Sequence, residues 1–476
     1  MKKAKPNPKA NRNIRILTFA ITGLFLCMCL YFGYFIQVES GRVINNSYNS
    51  ARLNRFEKRI VRGKILAEDG TVLAETLVGE DGSETRVYPY EELYAHVLGY
   101  SSLGKTGLEA LANYYLLSSH TNPLMKAMRQ LADEKSIGDN VITTLNTKLQ
   151  AIASDALGER RGAVVAMEPE TGKILAMVSK PAFDPNQIND QWDSLINGDD
   201  ADALLLNRAT QGLYPPGSTF KIVTALQYMR EHPGSYKEYQ FECDGLLEFQ
   251  NFKIRCYHQN AHGTEDFTGA FADSCNGAFS SLGQELDLNG MKQLTEQLLF
   301  DQEQPLSIPY NLSSYQMEEG ASQWEIAQTV IGQGSTLMTP MHNLMLISSI
   351  ANGGVLMKPY LIDRVENTEG EPVEKFMPES YGTLMAANEA KAMGELLSSV
   401  VSEGTGSALR TDSYTAAGKT GSAEFEKGKE THAWFVGYAP AEDPQIAVCV
   451  LVEEGGSGGK AAAPIARTLF DSYLIP

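Results

Sequence analysis

Three short motifs follow one another along this chain, and together they constrain its fold more than any other feature. They are Ser218-Thr-Phe-Lys221, Ser274-Cys-Asn276 and Lys419-Thr420-Gly421. Each alone is weak evidence, because short patterns match by chance and gain meaning only from structural context. If all three serve one site, the chain must bring a helix start, a turn and a strand end together around one serine.

The sequence around the first and third motifs supports that interpretation. Pro215-Pro216-Gly217 directly precedes Ser218, and the apolar residues 222–226 predict a buried helix that carries Ser218 and Lys221 near its start. The third motif lies between a small-residue stretch at 416–418 and a strand-like run at 433–438. The motifs therefore fall on elements that a single folded domain can bring together.

A serine and a lysine three positions apart on a helix share a face, so the Lys221 amine can reach the Ser218 hydroxyl. Serine is a poor nucleophile without such a base, and the amine can act as a base only when neutral. Burial and a second cation would lower the pKa of Lys221, and Lys419 is the candidate for that cation. This arrangement predicts acyl transfer through Ser218, with Lys221 as general base.

The other motif residues have matching roles. Ser274 can carry a proton between Lys221 and a leaving nitrogen, and the Asn276 amide can both donate to and accept from a substrate peptide bond. Lys419 and Thr420 would bind a substrate carboxylate, and Gly421 would let a substrate strand lie close. The backbone N–H groups of Ser218 and Ser422 form the predicted oxyanion hole.

The N-terminus predicts a membrane anchor. Residues 1–15 contain six lysines and arginines and no acid, and residues 16–38 contain no charge. This run can cross a bilayer as one helix, with its basic flank in the cytoplasm and everything after residue 38 outside. A cleaved signal peptide is disfavoured, because the run is longer than usual and no small-x-small site follows it.

The acidic balance, a net charge of −18, argues against nucleic acid as a partner. Cys243 and Cys256 frame a hairpin-like segment; a disulfide between them and free thiols are both compatible with the spacing. No Cys/His set has zinc-ligand spacing, so neither a metal nor a cofactor is expected. Cys275 is interpreted as a packed thiol, His432 as a structural histidine and Trp434 as a core residue.

The pattern of strands and helices predicts an α+β fold. A hairpin around Asp69-Gly70 is followed by early and late strand pairs with a helical middle, which fit one antiparallel sheet flanked by helices. The predicted elements are strand 140–145, helix 147–157, hairpin 162–178, strands 433–438 and 446–452, and helix 461–473.

With these motifs the chain resembles the class B penicillin-binding proteins, which are peptidoglycan D,D-transpeptidases. The resemblance covers nearly everything after the anchor. It includes Arg62-Gly63 with the hairpin to Ala74, His96 to Gly99 with Gly107-Leu108-Glu109, Gly172 to Ser179, Phe183 to Asn186, Asn207-Arg208, Tyr214 to Gly217, Gly332-Gln333-Gly334 and Thr339-Pro340. The short module before the catalytic part is similar to that of the compact penicillin-binding protein A type.

The resemblance implies a basic tail at 1–15, an anchor at 16–38, a pedestal or dimerisation-like module at 39–140 and a transpeptidase domain with an all-helical subdomain at 141–476. It implies a donor stem peptide ending in D-Ala-D-Ala, release of D-Ala from a Ser218 acyl-enzyme, inhibition by β-lactams and a possible D,D-carboxypeptidase side reaction. It also implies a bacterial cell-membrane location and a polytopic SEDS-type glycosyltransferase partner, contacted by anchor and pedestal.

Other classes share part of this pattern. The segment between anchor and catalytic part is too short for the glycosyltransferase domain of a class A penicillin-binding protein. A β-lactamase would need a carboxylate to activate water, and Glu285 to Asn289 resembles such a motif only superficially. A membrane-bound β-lactam sensor would need an intracellular domain larger than the basic tail, and the intact motifs disfavour a non-catalytic scaffold.

Overall fold

The structure is a computed structural model that describes residues 8–35, 59–132, 134–197 and 203–475. The first helix, α1 (Pro8–Tyr34), makes no contact that buries it. Its window Arg15–Tyr34 has a mean hydropathy of 2.1 and is wholly exposed, and it is the one helix among the described residues that is long and apolar enough to cross a membrane. The predicted anchor is thus a helix as far as Tyr34, and residues 36–38 lie outside the described residues.

The structure describes the N-terminal module from residue 59 onward, and the sheet of this module is completed by a hairpin from much later in the chain. Six strands run in the order β15 (Pro372–Lys375), β14 (Ile362–Glu366), β6 (Asn140–Thr143), β2 (Ile65–Leu66), β3 (Val72–Val78) and β4 (Glu84–Val87). Strand β6 is parallel to β2 and antiparallel to β14. The predicted hairpin around Asp69-Gly70 is confirmed by the antiparallel pair β2–β3. The elements of this part are β1 (Ile60–Val61), β2 (Ile65–Leu66), β3 (Val72–Val78), β4 (Glu84–Val87), β5 (Ser136–Ile137), β6 (Asn140–Thr143), α2 (Ala95–Leu98), α3 (Gly107–Leu111), α4 (Asn113–Leu116) and α5 (Pro123–Leu131).

A buried ion group holds this module together. Glu109, whose side chain is completely buried, accepts from Arg62 at 2.6 Å and from Arg86 at 2.7 Å. Burial opposes ionisation of Glu109, but the two guanidinium groups outweigh it and the pKa of the carboxyl is lowered. Two segments that carried the family resemblance, at 62–74 and 107–109, therefore meet in one charged cluster.

The catalytic part is built on a five-stranded antiparallel sheet in the order β17-β18-β19-β7-β8. Its strands are β7 (Gly162–Met167), β8 (Ile174–Lys180), β17 (Ala417–Ala423), β18 (His432–Ala439) and β19 (Ile446–Val452). The early and late strand pairs meet where β19 pairs with β7, with Cys449 opposite Val165. The predicted antiparallel sheet flanked by helices is confirmed.

Both faces of this sheet are covered, which explains its unbroken apolar strands. Alternate residues of β7 point to opposite sides. Val164 and Ala166 pack with α6 (Thr147–Leu157) and the closing helix α16 (Ala463–Leu474). Val165 faces the other core, which includes α13 (Pro340–Ala351), a helix buried along nearly its whole length.

Helices and small hairpins fill the chain between β8 and β17. The helices are α7 (Ile188–Asn197), α8 (Lys221–Glu231), α9 (Phe267–Ala272), α10 (Asn276–Gly283), α11 (Leu288–Gln297), α12 (Gln323–Thr329), α13 and α14 (Ala387–Ser402), with the one-turn α15 (Gly458–Ala461) after β19. The remaining strands are β9 (Gln240–Cys243), β10 (Leu246–Glu248), β11 (Lys253–Arg255), β12 (Gly263–Asp266), β13 (Val355–Met357), β14 (Ile362–Glu366), β15 (Pro372–Lys375) and β16 (Ser380–Thr383).

Candidate active site

The first motif lies where a tight turn becomes a helix. Ser218 is part of the 3-10 turn Gly217–Phe220, and Lys221 is the first residue of α8. Ser218 was expected on the helix itself, and it lies instead in the turn directly before the helix. Gly217 has φ of +53°, a conformation that favours glycine, and it turns the chain so that Ser218 is half-buried above a fully buried Lys221.

Lys221 joins the first motif to the second. Its Nζ donates to the Ser274 carbonyl at 2.6 Å, to Asn276 Oδ1 at 2.8 Å and to Ser274 Oγ at 3.3 Å. Across the described chain, the Ser218 hydroxyl makes no hydrogen bond, so the expected direct contact from Lys221 to Ser218 is not formed here. The reason is that a buried amine needs acceptors for all its donors, and the second motif supplies three.

The second motif is held in a strained turn. Ser274 has φ of +58°, a left-handed conformation that is uncommon for a residue with a Cβ atom and that tends to mark functional sites. Cys275 then caps α10, its Sγ accepting from the Ala278 N–H at 3.4 Å, and the Asn276 side chain donates to the Arg255 carbonyl at 2.9 Å. The hydroxyl of Ser274 and the amide of Asn276 are thereby fixed beside Lys221.

The third motif lies on β17, an edge strand of the central sheet. Lys419 is fully buried, with Nζ 5.5 Å from the centre of the Phe271 ring. Burial and the positive charge of Lys221 hold the pKa of Lys419 well below its usual value, while Asp273 opposes that shift. The Thr420 hydroxyl lies 2.7 Å from that of Thr405. An edge strand leaves backbone groups unpaired, which a peptide substrate can use.

Electrostatics at the two lysines follow from burial. Desolvation lowers the pKa of Lys221 to about 8. At Lys419, the positive charge of Lys221 lowers the pKa in addition to the effect of burial. The reverse effect, in which the Lys419 charge lowers the pKa of Lys221, was expected from the sequence and is not among the causes at Lys221. In either case, the two buried amines disfavour each other's charge.

A groove of about 1070 Å³ gathers the predicted residues. Its lining includes Ser218, Ser274, Asn276, Thr420, Gly421 and Ser422. Lys221 and Lys419 lie behind this surface rather than on it. A Cβ atom on Gly217 would be 3.0 Å from the Ser422 carbonyl oxygen, so the residue before Ser218 lies against the backbone of Ser422.

The structure also places residues that the sequence left with a minor role or none. Trp434 is fully buried, as expected, and its Nε1 donates to the Pro215 carbonyl at 3.0 Å, which fixes the loop before Ser218. His432 is buried and accepts from the Glu454 N–H, in keeping with a structural histidine. Thr405 and Asp273 line the groove without any sequence signal. Neither Glu285 nor the rest of 285–289 lines it.

The three cysteines near the second motif are buried free thiols. Cys243 and Cys256 are free thiols with sulfurs 3.7 Å apart, so no disulfide joins them. Cys275 is a buried thiol facing away from the groove, as predicted, and its sulfur lies 3.7 Å from that of Cys256. No Cys/His set has zinc-ligand spacing along the sequence, yet the side chains of Cys243, Cys256, Cys275 and His262 lie close together in the fold.

Comparisons with known proteins give a match for both parts of the chain. The family model for the penicillin binding protein transpeptidase domain matches residues 162–471, and that for the penicillin binding protein A dimerisation domain matches residues 62–141. The peptidoglycan D,D-transpeptidase PbpA of Mycolicibacterium smegmatis is 34% identical over 452 residues, covering 87% of this chain and 89% of its own length.

Two solved structures superimpose closely. The D,D-transpeptidase domain of a peptidoglycan glycosyltransferase from Eggerthella lenta has a TM-score of 0.78 at 32% identity, over 87% of this chain and 98% of that one. The ceftriaxone acyl-enzyme complex of penicillin-binding protein A from M. tuberculosis has a TM-score of 0.78 at 29% identity, over 89% and 100%.

Proposed function

This chain belongs to the penicillin-binding protein transpeptidase family, and from that premise we propose that it cross-links peptidoglycan stem peptides through an acyl-enzyme on Ser218. It is a peptidoglycan D,D-transpeptidase, a serine acyltransferase that β-lactams inhibit covalently. The same acyl-enzyme gives a D,D-carboxypeptidase side reaction when water replaces the acceptor amine.

One observation carries the assignment of residues. The three motifs share a single groove, and the buried Lys221 amine lies behind Ser218 with its hydrogen bonds on Ser274 and Asn276. A nucleophile, a base with a lowered pKa and a second hydroxyl for proton transfer are the parts that serine acyl transfer needs. No other group of residues lining this groove combines them.

In the acylation step, Ser218 Oγ attacks the carbonyl of the penultimate D-Ala of the donor, and its proton passes to Lys221. The backbone N–H groups of Ser218 and Ser422 stabilise the oxyanion. The C–N bond then breaks, and the proton returns through Ser274, whose Oγ lies 3.3 Å from Lys221 Nζ, to the departing amino group of D-Ala. Lys419 and Thr420 bind the terminal carboxylate, Asn276 binds the donor amide, and Gly421 lets the donor strand lie against β17.

In the second step, the amine of an acceptor strand attacks the Ser218 ester and gives up a proton to Lys221. The ester C–O bond breaks, Lys221 returns that proton to Ser218 Oγ, and the new peptide bond is the cross-link. A β-lactam enters by the first step, but its ring-opened product stays attached to Ser218. The groove therefore accepts an extended peptide donor and a β-lactam at the same position.

The N-terminal parts have a different role in this proposal. Residues 1–15 form a cytoplasmic tail, 16–38 a single-pass anchor in the bacterial cell membrane, 39–140 a pedestal, and 141–476 the extracytoplasmic transpeptidase domain. The basic tail supports this orientation. Anchor and pedestal contact a polytopic SEDS-type glycosyltransferase, which supplies the glycan strands. Co-purification of such a partner with the full chain, lost when α1 is replaced by an unrelated membrane helix, tests this part.

The experiment for Ser218 uses a fluorescent penicillin and the full chain in detergent. Three proteins are compared: the wild type, Ser218→Ala, and Ser407→Ala, which alters a groove-lining serine outside the three motifs. A long-lived adduct is expected on the wild type and on Ser407→Ala, and none on Ser218→Ala. The adduct is followed over hours, and D-Ala release from a pentapeptide donor is measured in parallel.

The alternatives give different results. Rapid turnover to free penicilloate would identify a β-lactamase. A stable adduct without D-Ala release or cross-linking would identify a β-lactam sensor. Undiminished labelling of a folded Ser218→Ala protein would show that Ser218 is not the nucleophile. No labelling of the wild type would identify the protein as a non-catalytic scaffold.

A further inference from the structure

Helix α5 (Pro123–Leu131) of the N-terminal module turns a stripe of apolar side chains outward. Leu124, Met125, Met128 and Leu131 are 68%, 42%, 56% and 89% exposed. Positions 124, 128 and 131 follow the spacing of one helix face. Among the other described helices after α1, each carries at most one large exposed apolar side chain. A contiguous apolar patch of this kind marks a surface that something else covers.

The opposite side of α5 is basic and lies closer to the module. It carries Lys126 and Arg129. Among the α5 side chains that the structure describes, Arg129 is the least exposed, and its Nη1 lies 3.5 Å from the Lys135 carbonyl oxygen. A surface helix of a globular protein normally buries its apolar stripe and exposes its charges. In α5 the apolar stripe is the exposed side, so the module itself does not cover it.

Helix α5 lies where the chain coming from the apolar helix α1 enters the module. Strand β1 comes directly after residues 36–58, which follow α1, and it runs parallel to β5, with Ile60 beside Ser136. The end of α5 is joined to the same strand, because the Glu134 N–H donates to the Arg129 carbonyl at 2.9 Å and β5 begins two residues later. Residues 36–58 can span at most about 80 Å, so a bilayer that holds α1 stays close to this part of the module.

The charge around α5 suits an anionic surface. Residues 110–132 contain Lys126 and Arg129 and no Asp or Glu, in a chain whose net charge is −18. Anionic phospholipids attract lysine and arginine side chains that lie near the membrane surface. A helix with Leu and Met on one side and Lys and Arg on the other is typical of helices that lie in the plane of the membrane interface. A lipid surface also accounts for the position of α5 beside the entry from α1, which a protein partner would not require.

We propose that α5 lies in the headgroup layer of the membrane that holds α1, with its Leu and Met side chains among the acyl chains and Lys126 and Arg129 at anionic headgroups. This inference rests on the membrane anchor of the proposed function. The contact gives the N-terminal module a second attachment and so fixes its tilt relative to the bilayer. Because the β14–β15 hairpin joins the sheet of the module to the catalytic part, the groove takes a set orientation relative to the membrane as well.

The test uses the full chain in lipid nanodiscs, with tryptophan as the reporter. The three native tryptophans all belong to the catalytic part, so Met128→Trp adds one reporter on α5. Discs are made with ordinary phosphatidylglycerol or with phosphatidylglycerol brominated on its acyl chains, which quenches tryptophan emission on contact. The emission that Met128→Trp adds to that of the wild type should be lost in the brominated discs. The matched control, Leu312→Trp at an exposed leucine of the catalytic part, should emit equally in both.

Two further measurements examine the two sides of the helix. The loss of emission should be smaller in brominated phosphatidylcholine discs, or at about 1 M salt, because the basic side chains then face a surface whose charge is absent or screened. Adding Leu131→Glu to Met128→Trp should also reduce the loss, because a carboxylate then replaces the most exposed apolar side chain of the stripe. Circular dichroism checks that each variant keeps its fold.

The outcomes separate this contact from the anchor. If the chain does not co-elute with the discs, the anchor fails and this inference fails with it. Co-elution with equal emission of Met128→Trp in ordinary and brominated discs keeps the anchor and overturns the contact. Emission of Met128→Trp that changes only when a second membrane protein is added would assign the apolar stripe to a protein partner and would likewise overturn the lipid contact.

Discussion

Lys221 Nζ and Asn276 Oδ1 lie 2.8 Å apart in the protein interior, so the base of the reaction is held by the second motif rather than by the nucleophile. Two more acceptors on Ser274 complete its hydrogen bonds. Because Ser218 makes no hydrogen bond within the described chain, its hydroxyl is available to an incoming donor, and Lys221 can turn to it without leaving the site.

Replacing Asn276 by Ala should slow acylation about 10²- to 10⁴-fold, because the Lys221 amine loses a hydrogen-bond acceptor and is no longer held in one orientation. An unsatisfied buried donor also costs about 1–3 kcal/mol, so the melting temperature should fall by several degrees. Acylation is measured with a chromogenic cephalosporin and folding by circular dichroism. Asn289→Ala, at the start of α11 and outside the groove, is the matched control. Equal acylation rates in the two variants would contradict the role of Asn276.

The rate of acylation should rise with pH between about 6.5 and 8 and then level off, since burial lowers the pKa of Lys221 to about 8. Below that pKa the amine is protonated and cannot accept the Ser218 proton, so the rate should fall about tenfold for each pH unit. The second-order acylation constant is measured across this range with a neutral β-lactam. Lys221→Ala should leave a slow residual rate that no longer follows this profile, and a flat wild-type profile would exclude a lysine base with this pKa.

A methyl group on Gly421 should push β17 away from the turn that carries Ser218. Its Cβ would lie 3.1 Å from Thr219 Cγ2 and from Trp434 Cβ, so β17 would have to move away from the turn that carries Ser218. We expect Gly421→Ala to slow acylation at least tenfold. The control is Gly320→Ala, where no atom lies within 4 Å of the added Cβ, and it should acylate at the wild-type rate. Wild-type acylation by a folded Gly421→Ala protein would show that acylation does not need this close contact between β17 and the Ser218 turn.

Loss of the Glu109 carboxylate should unfold the N-terminal module. Glu109→Ala leaves the Arg62 and Arg86 guanidinium groups buried without their anion, which costs about 3–5 kcal/mol. Glu248→Ala, which breaks an ion pair whose side chains are both more than half exposed, should cost less than about 1 kcal/mol. Chemical denaturation of the full chain measures both. Equal costs would mean that the buried cluster is not what stabilises the module.

The sheet of the catalytic part could be predicted from sequence because its strands are buried on both faces. Such strands appear as unbroken apolar runs with clear ends, and the hairpin at 162–178 and the strand at 446–452 were found in this way. The groove residues could be named because each belongs to a short motif with a known chemistry, and the structure brings all of the predicted side chains to one place.

Other features depend on contacts that no local pattern records. The acceptors of Lys221 are a carbonyl, a hydroxyl and an amide 53 to 55 residues away, so their geometry follows from packing alone. The side chains of Cys243, Cys256, Cys275 and His262 converge although the contacting pairs are 13 and 19 residues apart along the chain and lack any paired spacing. The strand partner of β6 is likewise more than two hundred residues distant, at Ile362–Glu366.

The pairing of β14 with β6 limits how this protein can be truncated or recombined with another. The hairpin β14–β15 belongs by sequence to the catalytic part but completes the sheet of the N-terminal module. A fragment that starts at residue 144 would expose the edge of β14, and a chimera that imports another protein's module would leave the hairpin without its pairing strand. The segments to be exchanged must therefore be chosen in pairs, so that the β14–β15 hairpin and the N-terminal module come from the same protein.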